Sequence, residues 1–230
     1  MGSVTSCSAL VASNLEQARA RIRAAGGNEV RIVAVTKGFG ADAVAAAREA
    51  GLTDLGENYA DELVAKWETG PRWHFLGAIQ RNKVRALADK VGLWQGVDRE
   101  VAGKEIAKRA PGAAVLVQVN LSGDPRRNGC TFADAPALVH ALQVMQLDVR
   151  GVMGVGPAGE PETARPPFRR LARLAASLGL PEVSMGMSGD LEVAVEEGAT
   201  MVRLGTALFG PRPERQPVRR LVSGGEAASG

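Results

Sequence analysis

Histidine, cysteine, lysine and aromatic residues are all scarce in this 230-residue chain, and each shortage excludes something. The two histidines and two cysteines (His74, His140, Cys7 and Cys130) stand far apart, at no metal-ligand spacing. Neither a bound metal nor a disulfide framework is therefore expected, and so few cysteines fit a reducing, cytoplasmic setting. No apolar run reaches the roughly 18 residues that a membrane span requires. The N-terminus also lacks the basic segment and apolar run of a secretory signal. A Walker-type phosphate loop and a G-x-S-x-G elbow are missing as well.

The excess of positive charge is small and local. Residues 211–230 hold Arg212, Arg215, Arg219 and Arg220 against Glu214 and Glu226, which leaves the body of the chain at +1. A nearly neutral body has no electrostatic footprint for nucleic acid, so an RNA- or protein-binding role would rest on the tail alone. From Pro211 onward Pro, Arg, Gly and Ser prevail without periodicity, which predicts a disordered tail at 211–230 after one domain at 1–210.

What is present is alternation. Apolar, β-branched runs at 31–36, 53–55, 72–76, 93–97, 114–120, 148–153, 182–185 and 200–204 read as eight strands. Helical patterns near 41–51, 58–68, 81–90, 99–109, 132–146, 166–178 and 189–197 separate them, and a further helix at about 8–25 precedes them all. Eight strand–helix units predict an α/β protein, a single (β/α)8 TIM-type barrel with an extra N-terminal helix. An open doubly wound sheet is the competing arrangement.

With only six lysines against 22 arginines, each lysine can be inspected. Lys37 ends the run RIVAVTK, where a barrel would set it at the mouth with its stem against an apolar wall. It is either a strand-end lysine reaching solvent or an amine whose pKa is lowered by desolvation, as a Schiff-base lysine requires. The other five lie in helical patterns where charges are usually solvated, with Lys83 the one that could point to the mouth. Two clusters of small residues, 184–190 and 205–207, follow strands seven and eight, where barrels commonly hold phosphate. Ser188 or Asp190 could instead simply cap a helix. Arg203 interrupts the apolar run MVRLG, so it serves either a polar site or a buried ion pair. His140 reads as structural, whereas His74, in a strand, fits core or mouth equally. Residues 154–159 match G-x-G-x-x-G, but Pro157 and the prolines beyond it deny the helix that a dinucleotide fingerprint must open.

Taken in order, these segments resemble the pyridoxal phosphate homeostasis family, related to the barrel domain of alanine racemases. The resemblance is carried by Ala34-Val35-Thr36-Lys37, Leu55-Gly56-Glu57-Asn58-Tyr59, Trp73-His74-Phe75-Leu76-Gly77 and Gln80-Arg81-Asn82-Lys83. It continues through Gln118-Val119-Asn120, Gly151-Val152-Met153, Ser184-Met185-Gly186-Met187-Ser188 and Val202-Arg203-Leu204-Gly205-Thr206. It implies pyridoxal 5′-phosphate as cofactor, held by Lys37 as a Schiff base. Ser188, Gly189, Gly205 and Thr206 would then grip its phosphate, Arg203 would face the pyridine nitrogen, and Asn58 and His74 would line the pocket near the ring. Two departures stand out: Thr36 occupies a position where serine is more usual, and Asp124 with Arg127 replaces a Glu…Lys pair. Arg127 cannot serve as a second, transient lysine site.

Under that resemblance Arg203 decides the chemistry. A guanidinium only donates hydrogen bonds, so the nitrogen facing it must accept and stay unprotonated. An unprotonated ring is a poor electron sink, which works against transamination and decarboxylation. Racemisation tolerates it but needs a second acid/base on the opposite substrate face. In alanine racemases a tyrosine from a separate domain supplies that group, and Tyr59 is the only tyrosine here. The expectation is a monomeric cofactor-binding protein that buffers pyridoxal phosphate or supplies it to apo forms of the enzymes that use it. No residue is assigned a catalytic role, and neither nucleic acid nor membrane is expected as a partner. The alternative is a single-domain amino-acid racemase using Lys37 and a pocket group such as His74.

Overall fold

Each of the eight β-branched runs forms a strand in the computed structural model, which describes residues 2–212. The strands are β1 (Arg31–Val35), β2 (Asp54–Glu57), β3 (Arg72–Phe75), β4 (Val91–Val97), β5 (Ala114–Val119), β6 (Asp148–Gly154), β7 (Glu182–Ser184) and β8 (Met201–Leu204). Every neighbour pair is parallel, and β8 returns to β1 with Ile32 opposite Val202 and Val33 opposite Arg203. The sheet is a closed barrel in strand order, which removes the open doubly wound alternative. Closure satisfies the edge strands, so no row of backbone donors is left unpaired.

Between the strands lie α2 (Ala41–Glu49), α3 (Ala60–Lys66), α4 (Arg81–Leu87), α5 (Glu100–Arg109), α6 (Ala135–Val144), α7 (Arg165–Ser177) and α8 (Leu191–Glu196). Before them runs α1 (Gly2–Ala24), and a single turn, α9 (Thr206–Phe209), closes the chain. The stripe Val11, Leu15, Ala18 and Ile22, spaced to share one helical face, buries α1 against the barrel exterior. Asn14 Nδ2 donates to the Leu208 carbonyl at 2.9 Å, which ties α1 to α9.

Alternation along each strand separates two cores. Outward residues such as Ile32, Ala34, Trp73, Trp94 and Val202 pack beneath the helices in the larger core. Val33, Leu93, Leu116, Met153 and Met201 form a small apolar cluster inside the barrel. It shares that interior with His74, Gln95, Ser184 and Arg203, all buried. Interiors of such barrels are normally filled by branched apolar side chains, so four polar groups here call for an explanation.

Among the described residues no helix is long and apolar enough to cross a membrane. Described residues end at Arg212, so the expected disorder from residue 213 onward lies outside them.

Barrel closure sets a steric limit that can be tested at Gly151 on β6. A Cβ there would fall 1.9 Å from the Glu182 carbonyl oxygen of β7, which as backbone cannot move aside cheaply. Gly151→Ala should cost about 3 kcal/mol through overpacking. Thermal unfolding should then fall by roughly 6–12 °C.

Candidate functional site

A cavity of about 470 Å³ opens at the C-terminal ends of the strands, the end where barrels assemble their sites. Its wall includes Lys37, Asn58, Ser188, Gly189, Arg203, Gly205 and Thr206, drawn from the turns after β1, β2, β7 and β8 and from β8 itself. Val35, Leu76, Met153, Val155 and Met187 supply its apolar surface, and Arg212 completes the rim.

Lys37 follows β1 in a turn pinned on both flanks. Lys66, on α3, donates from Nζ to the carbonyls of Thr36 at 2.9 Å and Phe39 at 3.0 Å. The same ammonium bonds the Glu57 carboxylate and, at 3.1 Å, that of Glu62. Glu57 also accepts from Thr36 Oγ1 at 2.8 Å, and Glu62 accepts from the Gly38 N–H at 2.8 Å. Gly38 lies at φ +75°, a left-handed position that favours glycine. Burial pushes the Glu57 carboxyl above its usual range, against the pull of Lys66 and Thr36. Of the two buried partners, Lys66 has a side chain only 7% exposed, although its helical position suggested a solvated charge.

Lys37 itself is half-buried, and its amine is held below the ordinary lysine range. Desolvation is the main cause, Arg212 and Arg203 add like-charge repulsion, and Glu57 opposes them. Lys37 therefore carries more free amine at neutral pH than a surface lysine would. Composition alone reads Arg212 as tail, yet its side chain borders the cavity and acts on Lys37, a placement that no local pattern announces.

The turns after β7 and β8 meet across two hydroxyls, Ser188 Oγ and Thr206 Oγ1, 3.3 Å apart. Ser188 Oγ also accepts from the Ala207 N–H at 3.2 Å. Asp190 makes no side-chain cap on α8; its Oδ1 accepts from the Met187 N–H at 2.6 Å and so shapes the turn. From outside, Arg21 braces the same turn, donating to the Ser188 carbonyl at 3.2 Å while it pairs with Glu192 at 2.6 Å.

Arg203 is buried on β8. Nη1 donates to Ser184 Oγ and Nη2 to the Gly154 carbonyl, each at 2.8 Å. Burial lowers its pKa to about 10, with Asp190 attracting it from a distance, so the guanidinium stays charged at neutral pH. Neither of these bonds goes to a carboxylate, so Arg203 is the polar-site residue of the two possibilities considered for it.

His74 does not line this cavity. It points into the barrel interior, between Asp54 at 2.8 Å and Gln95 at 2.7 Å. On β3 the inward face is shared by mouth and interior positions, and strand alternation cannot tell depth along the axis. Lys83 is likewise outside the cavity, in an ion pair with Asp61 at 2.7 Å. Tyr59 is exposed and away from the cavity wall. The glycines at 154–159 lead into a 3-10 turn, Pro161–Ala164, before α7, so no helix opens on them. In the loop after β5, Asp124 pairs with Arg126 rather than Arg127. Among the described residues no group of three or more His, Cys, Asp or Glu is arranged to hold a metal.

Comparison with known proteins bears out the family resemblance and the barrel fold. A family profile described as the alanine racemase N-terminal domain matches residues 8–213. The chain is 40% identical over 225 residues to a pyridoxal phosphate homeostasis protein of Pseudomonas aeruginosa, covering 90% of this chain and 98% of that one. A protein of the same name from Escherichia coli K12 is 35% identical over 227 residues, covering 88% and 97%. Among solved structures, PipY of Synechococcus elongatus without pyridoxal phosphate aligns with a TM-score of 0.79 at 32% identity. With pyridoxal phosphate bound, PipY aligns with a TM-score of 0.78 at 30% identity. Each PipY alignment covers 87% of this chain and 100% of the other.

The Lys66 knot yields a stability prediction. Lys66→Met would leave Glu57 buried with its cationic partner gone, which should cost about 3–5 kcal/mol. Urea unfolding of the variant checks this; a loss under about 1 kcal/mol, the range of surface pairs, would show that the pair is dispensable.

Proposed function

The chain belongs to the pyridoxal phosphate homeostasis protein family, built on the alanine racemase N-terminal domain, and on that premise we propose that it binds pyridoxal 5′-phosphate reversibly through Lys37. The protein buffers or supplies the cofactor in the cytoplasm and has no strong catalytic activity of its own. Apo forms of enzymes that use pyridoxal phosphate are the proposed recipients, served by a monomer.

One observation carries this reading: a single half-buried amine of lowered pKa shares a cavity with two guanidiniums and two hydroxyl-bearing turns. When bound, the cofactor supplies an aldehyde that condenses with a primary amine, together with a phosphate dianion. Lys37 Nζ, as the free amine of the cavity, would be the group that holds the aldehyde, reversibly because water can reach the open mouth. Ser188, Gly189, Gly205 and Thr206 are the groups proposed to hold the phosphate, because their hydroxyls and backbone N–H groups are the donors of the turns that border the cavity. The cationic rim, Lys37 with Arg203 and Arg212, suits a dianion. Asn58 would lie beside the ring, and Arg203, which can only donate, would face the pyridine nitrogen and so favour its unprotonated form.

The weak-catalysis part rests on the same wall. Among the described residues that line it, the titratable side chains are Lys37, Arg203 and Arg212. A racemase needs a second proton carrier opposite the lysine, and the interior position of His74 supports the non-enzymatic reading over one that relies on it.

Added pyridoxal phosphate should give a yellow protein, and borohydride reduction with peptide mapping should mark Lys37. Lys37→Ala should abolish the band; a label on Lys83 instead would sink the assignment. Incubation with L-alanine in deuterated water should give negligible Cα exchange, whereas rapid exchange with racemisation would overturn the homeostasis reading.

The pH dependence has a definite sign. Condensation needs the free amine, so its rate should reach half-maximum below the usual lysine pKa of about 10.4. Arg212→Ala removes one of the charges that depress Lys37, so that midpoint should move upward in stopped-flow measurements across pH.

A further inference from the structure

Five polar side chains cross the barrel interior in one line. Arg203 Nη1 donates to Ser184 Oγ at 2.8 Å, and Ser184 Oγ donates to Gln95 Oε1 at 2.7 Å. Gln95 Nε2 lies 2.7 Å from His74 Nδ1, and His74 Nε2 lies 2.8 Å from Asp54 Oδ1. The Gln95 amide also rests against the Met201 sulfur at 3.1 Å. Arg203, Ser184, Gln95 and His74 are buried. Asp54 is the first residue of β2, at the end of the barrel opposite the cavity, where its side chain is 14% exposed.

The two ends leave one polarity for the whole line. Arg203 has only donors, so Ser184 must accept from it and has a single proton to pass on. That proton needs an acceptor, which orients Gln95 with its carbonyl toward Ser184 and its NH2 toward His74. Nδ1 of His74 must then accept, so a neutral imidazole carries its proton on Nε2 and donates to Asp54, which as a carboxylate only accepts. Reversing the amide would leave the Ser184 proton without an acceptor and put a ring N–H at Nδ1. The electrostatics agree: burial keeps His74 below the usual imidazole range. Asp54 is raised by desolvation, yet held low on balance by its bond from His74.

We propose that Ser184, Gln95 and His74 are positioning residues for Arg203, forming with Asp54 a one-way hydrogen-bond relay that sets how the guanidinium meets the ligand in the cavity. None of the four lines that cavity, and their hydrogen-bonded route to it runs through Arg203. The inference rests on the proposed binding of pyridoxal phosphate where it concerns the ligand, and on geometry alone where it concerns the relay.

Two tests separate these parts. In the apo protein, 15N spectra of the imidazole groups should show His74 neutral with its proton on Nε2. Only His140 shares those spectra, so its substitution completes the assignment. An Nδ1–H tautomer or an imidazolium would overturn the relay whether or not any ligand binds. With pyridoxal phosphate added, the His74 signals should shift while those of His140 stay; unmoved His74 signals in a yellow protein would overturn the coupling. Ser184→Ala and Gln95→Met each interrupt the line. Both should still be labelled at Lys37 after borohydride, but should bind pyridoxal phosphate about tenfold more weakly and show a displaced visible band. Folded variants with unchanged band and affinity, whatever their melting temperatures, would show a merely structural role and refute the proposal. A wild-type protein that never turns yellow would instead count against the function proposed above, and the tautomer would still decide the relay.

Discussion

Everything at the site depends on one costly placement, a guanidinium inside a barrel. Arg203 cannot shed its charge readily, and its two terminal nitrogens bond a serine hydroxyl and a main-chain carbonyl instead of a carboxylate. A buried charge without a neutralising partner is tolerated only where hydrogen bonds and a ligand or solvent meet its donors. The barrel accommodates it by placing His74, Gln95 and Ser184 in its interior beside a small apolar cluster. The interior thus sacrifices part of its apolar packing to hold one donor group at the mouth.

The same charge acts on its neighbours. Together with Arg212 and desolvation it depresses the Lys37 amine, and it adds to a rim suited to an anion. A second buried cation, Lys66, has a different task. Its bonds to two carbonyls and two carboxylates clamp the turn that carries Lys37. Arg203 acts on the electrostatics of the cavity and Lys66 on the shape of one of its turns, and both charges are buried.

Much of this was legible along the chain because its signals are local. Strand alternation and β-branched runs mark all eight strands, and the small-residue turns after β7 and β8 stand where barrels bind anions. Lys37 shows itself by ending a buried strand. The failures share one cause, since depth and long-range partners have no local signature. His74 reads as a possible pocket residue because an inward strand position looks the same at the mouth and in the middle of the barrel. Lys66 looks like an ordinary helix lysine until Glu57, nine residues earlier, is seen to face it. Arg212 looks like tail until the chain turns back over Lys37.

The amino-acid sequence by itself determined the barrel and the family to which the chain belongs. Periodicity and an ordered set of short motifs are properties of neighbouring residues, and neighbours are all a sequence displays directly. Only the tertiary structure decided which charges share a cavity, which carboxylate pairs with which ammonium, and that His74 lies in the barrel interior behind Arg203 rather than on the cavity wall. Those outcomes depend on strands one to seven places apart in the chain being closed into one ring. Closure brings β8 against β1 and lines up five polar side chains from β2, β3, β4, β7 and β8, a juxtaposition that no single segment encodes.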